Sequence, residues 1–246
     1  MIAIGSQSHG AKRRRQIPVL QEKYYKSEWL ETPDNFLLSP TVSLIEQPAH
    51  STLVPHFHKN NQFQLFVEGE GSLGKDPISP LMVHYAGAYT GYGPLVSGAQ
   101  GIKYFTMRPV CESGLFDIEN HRHELIRGPK KHATSRVFSA LNEDELHEQD
   151  QILSETLITP DNDGLACHCL TLPKGAQTKV TQSMVGYGLF LTVTGGRVKV
   201  GDALLQKWET AFYSLKEGAP FLHAVDSAAQ VVCMHIPELE SPYRVQ

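Results

Sequence analysis

Apolar and polar residues along this chain alternate in short runs, cut by Gly or Pro roughly every ten residues. Period-two alternation over such runs predicts strands whose two faces differ in character. In the first half the pattern places strands at Thr41–Glu46, Ser51–His56, Phe63–Glu68, Leu81–Tyr85 and Lys103–Arg108. A second series covers Gln151–Ile158, Leu165–Leu172, Leu189–Thr194, Arg197–Val200, Thr210–Ser214, Phe221–Val225 and Gln230–Ile236. Helical periodicity is confined to Gln21–Leu30 and Asn142–Gln151, the latter carrying the acidic run Glu143-Asp144-Glu145. The expectation is an all-β protein of sandwich or barrel type. The two series share an order of strand, gap, strand ending in Gly and later strand pair, which reads as a divergent internal repeat. Residues 1–35 are expected as an N-terminal arm, 36–110 as a first domain, 111–135 as a polar, His-rich linker and 136–246 as a second domain.

Composition narrows the function classes. The chain has 246 residues, of which 41% are apolar and 20% charged, which suits a soluble globule with a sizeable core. A net charge of −4 gives no general attraction to nucleic acid or to an anionic membrane. No apolar run approaches the length of a membrane span. The segment Met1–Gln16 puts its apolar piece before its charges, unlike a secretory signal. Cys111, Cys167, Cys169 and Cys233 form no CxxC pair and read as buried strand thiols of a cytoplasmic protein. Lys12-Arg13-Arg14-Arg15 reads either as a nucleic-acid arm or as a solvated, mobile terminus. Nothing basic or aromatic extends it, so the terminus is preferred.

The candidate chemistry lies in Pro55–Gly69. His56 and His58 sit one residue apart, so a strand projects both imidazoles from one face. Gln62 opens the apolar run that follows, and a hairpin at Lys59–Asn61 would set it beside them. Two neutral nitrogen donors and one oxygen donor suit a divalent first-row metal. The bland reading is a pair of histidines that alternate by chance among the twelve in the chain.

The same stretch resembles the first motif of the cupin superfamily, G(x)5HxH(x)3-4E(x)6G. His56, His58 and Gly69 fall on the pattern, Gln62 stands at the usual Glu and His50 at the usual Gly. The second motif normally adds a histidine ligand. Its counterpart here, Gly87–Gly98, keeps the glycine corner and lacks the histidine. In the second half, Leu172–Gly175 and Gly188–Gly201 are similar to the corresponding cupin hairpin, with Thr181 and Ser183 at the HxH positions and Tyr187 near the carboxylate position. The resemblance therefore implies tandem cupin jelly-roll barrels, double-stranded β-helices, with the site in the first and a degenerate second barrel that holds no metal.

Around His56, His58 and Gln62, the expected pocket residues are Gln64, His84, Tyr92 and Lys103. Gln64 alternates with Gln62 and shares its face. His84 reads as an extra ligand or a packed histidine, the second being preferred. Tyr92, with Tyr85 and Tyr89, reads as mouth lining or sheet-edge packing. Lys103 reads as a partner for a substrate anion or, by preference, as a solvated lysine. His223 lies near a second-motif histidine position but has no partners, and His121 and His123 fall in the linker. The cupin resemblance implies a metal-dependent enzyme (Fe, Mn, Ni or Zn) acting on a small organic molecule, with dioxygenases among the reaction classes. The alternative is a non-catalytic small-molecule binder or sensor. The expected partner is a small molecule, with a homodimer left open.

Overall fold

The computed structural model describes residues 1–19, 22–33, 35, 37–112, 114–181 and 183–244. The chain divides into two compact units. The N-terminal unit is Gly10–Phe138 with Leu239–Gln246, and the C-terminal unit is Ser139–Glu238 with Met1–His9. Each end of the chain thus belongs to the unit built by the other half.

The first half carries β1 (Ile2–Gly5), β2 (Arg15–Val19), β3 (Glu22–Leu30), β4 (Thr41–Gln47), β5 (Thr52–Leu53), β6 (His56–Phe57), β7 (Gln62–Leu73), β8 (Asp76–Ile78), β9 (Met82–Ala86), β10 (Leu95–Arg108), β11 (Phe116–Asp117) and β12 (His132–Thr134). The second half carries β13 (Leu153–Ile158), β14 (Ala166–Leu172), β15 (Gln177–Lys179), β16 (Gly188–Val200), β17 (Ala203–Gln206), β18 (Thr210–Ser214), β19 (Phe221–His223) and β20 (Ala229–Ile236). The helices are short: α1 (Gln7–Lys12), α2 (Ile118–His121) and α3 (Glu143–His147). In the N-terminal unit the main sheet runs β12-β9-β7-β10-β4-β3-β2, while β6 pairs with β11. In the C-terminal unit the order is β1-β18-β16-β20-β14-β13. The long central strands β7, β10 and β16 each carry a register shift, which lets a strand bend between two pairing partners.

Four expectations are corrected. Gln21–Leu30 was expected as a helix, but Glu22–Leu30 is strand β3, with Gln21 outside the described residues. Tyr24 and Trp29 are buried there, on opposite faces by alternation, and aromatic residues fit a pleated surface better than a short helix. The Lys12–Arg15 cluster is not a mobile terminus. Arg14 chelates Glu46 through Nε at 2.7 Å and Nη2 at 3.0 Å and lies 3.8 Å over the Tyr25 ring, while Arg15 bonds the buried Glu28 carboxylate. The thiols also differ: Cys167, Cys169 and Cys233 are buried on strands, whereas Cys111 is exposed. Residues 111–135, expected as a linker, supply β11, which pairs with β6, and β12, which extends the main sheet beside β9. The second expected helix, Asn142–Gln151, survives as α3, where Asn142 and Glu145 form a reciprocal capping box.

The two interiors differ. That of the C-terminal unit is filled by Leu170, Leu172, Leu189, Leu191, Val193 and their neighbours. That of the N-terminal unit has an apolar layer including Phe66, Met82, Tyr92, Ile102 and Tyr104, but polar residues continue the same face. No helix among the described residues is long and apolar enough to cross a membrane.

Gly69 shows why the motif glycine is needed. Its φ is +79°, and a Cβ there would lie 2.0 Å from the Gly101 carbonyl oxygen across the β7–β10 ladder. Gly175 has φ +80° with nothing within 4 Å of its Cβ position. Gly69→Ala is therefore expected to cost about 2 kcal/mol or more, strain plus clash, and Gly175→Ala about 1 kcal/mol, strain alone. Urea unfolding of the two variants checks the order; equal midpoint shifts would show that the β7–β10 contact yields freely.

Candidate functional site

The site grows from a polar row that crosses six strands of one sheet in register. Glu28 lies opposite Ser43, Ser43 opposite Thr106, Thr106 opposite Gln64, Gln64 opposite His84, and His84 opposite Thr134. Directly opposed residues of antiparallel strands share a face. The first five of these side chains are buried. Two residues along β7 and β10, on that same face, stand Gln62 and Arg108.

His56 on β6 and His58 just after it reach this face. His56 forms a bridge with Tyr92, its N–H donating to the Tyr92 carbonyl at 3.1 Å and its carbonyl accepting from Tyr92 at 3.0 Å. The intervening Phe57 turns the other way and stacks on Phe116, with ring centroids 5.3 Å apart. Both imidazoles are buried, at 5.4 Å from centroid to centroid, so the expected pairing on one side is present. The Tyr92 ring lies among the histidines, 4.5 Å from His56 and 5.4 Å from His84.

The hydrogen bonds here can be assigned a direction, because a guanidinium only donates. Arg108 Nε donates to Gln62 Oε1 at 2.8 Å, which turns the Gln62 amide nitrogen toward Tyr92, whose oxygen accepts at 2.8 Å. The Tyr92 proton is left to serve another acceptor. Arg108 Nη2 donates to His58 Nε2 at 3.2 Å, so His58 carries its proton on Nδ1, which faces Glu112 Oε2 at 3.3 Å. Arg108 Nη1 donates to the Glu112 main-chain oxygen at 3.4 Å, and Glu112 Oε1 accepts from the Lys59 N–H at 2.7 Å. By the same logic His56 Nδ1 donates to the Val54 carbonyl at 2.9 Å, leaving a lone pair on Nε2. His84 Nδ1 meets Thr134 Oγ1 at 2.9 Å, and its Nε2 is buried without a partner, as is Gln64 Oε1.

Burial dominates the electrostatics. It holds His56 neutral, its pKa lowered to about 4, with the Val54 bond opposing and the Arg108 charge adding to the shift. It pushes His58 well below the usual imidazole range, reinforced by Arg108. His84 falls to about 3 through burial and then the neighbouring His132. Burial raises the Glu112 carboxyl against the pull of Arg108 and raises the Tyr92 hydroxyl, which keeps its proton. Burial also pushes Glu28 up, but its bonds to Arg15 and Lys26 outweigh that and hold it below the ordinary value.

The structure thus brings together His56, His58, Gln62, Gln64, His84 and Tyr92. It does not bring in Lys103, which lies on the other face and pairs with Glu68 at 2.8 Å, both side chains exposed. The correction follows from alternation: Tyr104, Thr106 and Arg108 face inward, so Lys103 cannot. His121, the last residue of α2, pairs with the helix's N-cap Asp117 at 3.0 Å, and His123 is exposed. In the C-terminal unit Thr181 is exposed and His223 is half-buried on β19. The groups missed from sequence are Arg108, Glu112, Thr106, Ser43 and Glu28. Arg108 carried one usable signal, as the charged end of the alternating run Tyr104-Phe105-Thr106-Met107-Arg108.

No family model and no curated protein matches the chain. Solved structures do. The bacterial pirin YhhW of Escherichia coli, in complex with nickel(II), aligns over 97% of this chain and 100% of its own at 15% identity and a TM-score of 0.54. AerE of Microcystis aeruginosa aligns over 96% and 99% at 12% identity and 0.57. A deletion mutant of the Bacillus subtilis oxalate decarboxylase OxdC aligns over 94% of this chain and 76% of its own at 9% identity and 0.54.

The fold is that of a bicupin.

In this bicupin fold the expected metal would rest on His56, His58 and Gln62. The residues do not fit it. Two of those three donors, His58 Nε2 and Gln62 Oε1, already accept hydrogen bonds from one guanidinium, which places a fixed positive charge between them. Among the described residues, no group of three or more His, Cys, Asp or Glu is placed to hold a metal ion.

Two outcomes are expected of the site's stability. Tyr92→Phe leaves the buried Gln62 amide nitrogen without its acceptor and should cost about 1–3 kcal/mol in chemical unfolding; an unchanged midpoint would mean that the amide finds another partner. His84 is neutral in the fold down to about pH 3, whereas an unfolded histidine titrates at 6.5. Between those values the unfolded chain binds the extra proton, so stability falls as pH falls through that window. His84→Gln should flatten that part of the stability–pH profile, measured by thermal melting from pH 7 to pH 4.

Proposed function

We propose that this bicupin is a small-molecule binder whose N-terminal site is organised by Arg108 in place of a metal. One observation carries the reading: the Arg108 guanidinium donates to both Gln62 Oε1 and His58 Nε2, the atoms a metal would need. The surroundings support it. The interior of the N-terminal unit keeps buried polar atoms without partners, Gln64 Oε1 and His84 Nε2, whereas a closed structural core satisfies such groups. The C-terminal unit, packed with Leu and Val, serves as a scaffold. A second reading, a metal-dependent enzyme such as a dioxygenase using iron, manganese, nickel or zinc, draws on the Nε2 lone pair of His56 and on the nickel(II) of the E. coli pirin. It requires Arg108 to leave its two acceptors.

Metal analysis decides between them. The protein purified without chelator should carry well under one equivalent of Fe, Mn, Ni or Zn. Arg108→Ala, which frees Gln62 Oε1 and His58 Nε2, should bind Ni(II) or Zn(II) at least about tenfold more tightly than the parent in calorimetry. Stoichiometric metal in the parent, lost on replacing His56 and His58 with Ala, would overturn the proposal.

A further inference from the structure

Arg108 is half-buried, yet its acceptors are all neutral: the Gln62 amide oxygen, the Glu112 main-chain oxygen and the His58 imidazole. Among the described residues no carboxylate lies within ion-pair distance of it. A guanidinium has five N–H donors, and these contacts use three, so two remain. Beside it, the Tyr92 hydroxyl accepts from Gln62 and keeps its own proton for another acceptor. A partly desolvated guanidinium is strongly stabilised only by an anion, best a planar oxyanion that takes two parallel bonds. Of the charged groups nearby, the Glu112 carboxylate acts on Arg108 through space but makes no ion pair with it, and the others are paired among themselves. Arg15 and Lys26 pair with Glu28, and Lys59 pairs with Glu124, while the Glu112 carboxylate turns to His58 and the Lys59 N–H.

The second observation lies one step along the sheet. Gln64 and His84 face each other across β7 and β9, each only 2% exposed. Gln64 Oε1 and His84 Nε2 have no partner. Gln64 Oε1 needs a donor, while His84 Nε2 accepts or donates according to its tautomer. A hydroxyl meets both demands, because it donates once and also accepts. The Gln62 and Gln64 levels are separated by two strand residues, about 6.6 Å.

Resting on the arginine-centred reading above, we propose that the ligand is a small hydroxylated carboxylate. Its carboxylate meets the Arg108 guanidinium and the Tyr92 hydroxyl, and a hydroxyl on the far side of a ring-sized spacer meets Gln64 Oε1 and His84 Nε2. The anion thus stands where the resident cation of the site calls for it.

The test uses the full chain, with its metal content measured, and four probes in calorimetry and thermal shift. 4-Hydroxybenzoate has the charge, the hydroxyl and the span; benzoate lacks the hydroxyl, 4-hydroxybenzamide lacks the charge, and lactate is too short. The expected order is 4-hydroxybenzoate tightest, with the amide and benzoate each about tenfold weaker or more. Gln64→Leu should remove the preference over benzoate. Arg108→Lys, which keeps charge without the fork, should weaken the acid by about tenfold, and Arg108→Gln should abolish its binding. Thermal melts establish that each variant is folded, and the lysine variant serves if the glutamine variant is not. If acid and amide bind metal-free protein equally, or no probe binds it, the anion assignment is overturned while the arginine-centred site stands. If the acid binds only the metal-loaded fraction, the arginine-centred reading falls as well.

Discussion

An arginine side chain can donate hydrogen bonds but cannot accept one, and at the pH of any living compartment it cannot lose its charge. Placing Arg108 between His58 and Gln62 therefore fixes more than its own position. It sets the tautomer of His58, the orientation of the Gln62 amide and, through that amide, the free proton of Tyr92. Remove the guanidinium and each of these assignments becomes a choice again. The site is thus ordered from one end, by the one group with no alternative state.

That ordering has a cost which the rest of the unit offsets. A half-buried cation whose hydrogen-bond acceptors are all neutral is compensated only through space by the Glu112 carboxylate, and buried oxygens and nitrogens without partners are costly too. The sheet tolerates them because the other rows of the same strands are apolar and well packed. Phe66, Met82 and Tyr104 continue the inner face, and Trp29 meets Phe105 edge-on at 5.0 Å on the opposite face. The C-terminal unit makes the contrast plain. Related strands there fill the corresponding interior with Leu and Val, and the buried polar residues beside them are mostly threonines, such as Thr192, Thr194 and Thr210. Within one chain, the same architecture has one interior lined mainly by Leu and Val and one in which histidine, glutamine and arginine share the inner face.

The architecture was legible because it rests on period-two alternation and on glycines whose backbone demands are local. Gly69, for instance, sits where β7 passes Gly101 too closely for any side chain. The pairing of His56 with His58 was legible for the same reason, since Phe57 between them is apolar and turns away. What the chain order hides is register. Arg108 lies forty-six residues from Gln62 and fifty from His58; the β7–β10 ladder brings it to Gln62, and the pairing of β6 with β11 and Tyr92 places His58. Glu112 was hidden by its place in a polar stretch, where charge suggests solvent. The strand Glu22–Leu30 was misread because its two tyrosines and its tryptophan at irregular spacing mimic a helical stripe, while the pairing with β4 that settles the matter is again non-local.

If, as proposed, a guanidinium stands in place of a metal, what can regulate the site changes with it. A metal centre needs deprotonated imidazoles, so its occupancy varies with pH and with metal supply. A guanidinium is covalently present, and its charge varies with neither. His56 and His84, held neutral to about pH 4 and about pH 3, then act as fixed acceptors and packing surfaces rather than as switches. The price of that permanence is chemical range, because a guanidinium stabilises an anion but offers no open coordination position and no redox change. On this argument the histidines of the first motif are retained for geometry. His58 accepts from Arg108 and faces Glu112, and His56 packs against the Tyr92 ring, so both help to position Arg108 and Tyr92.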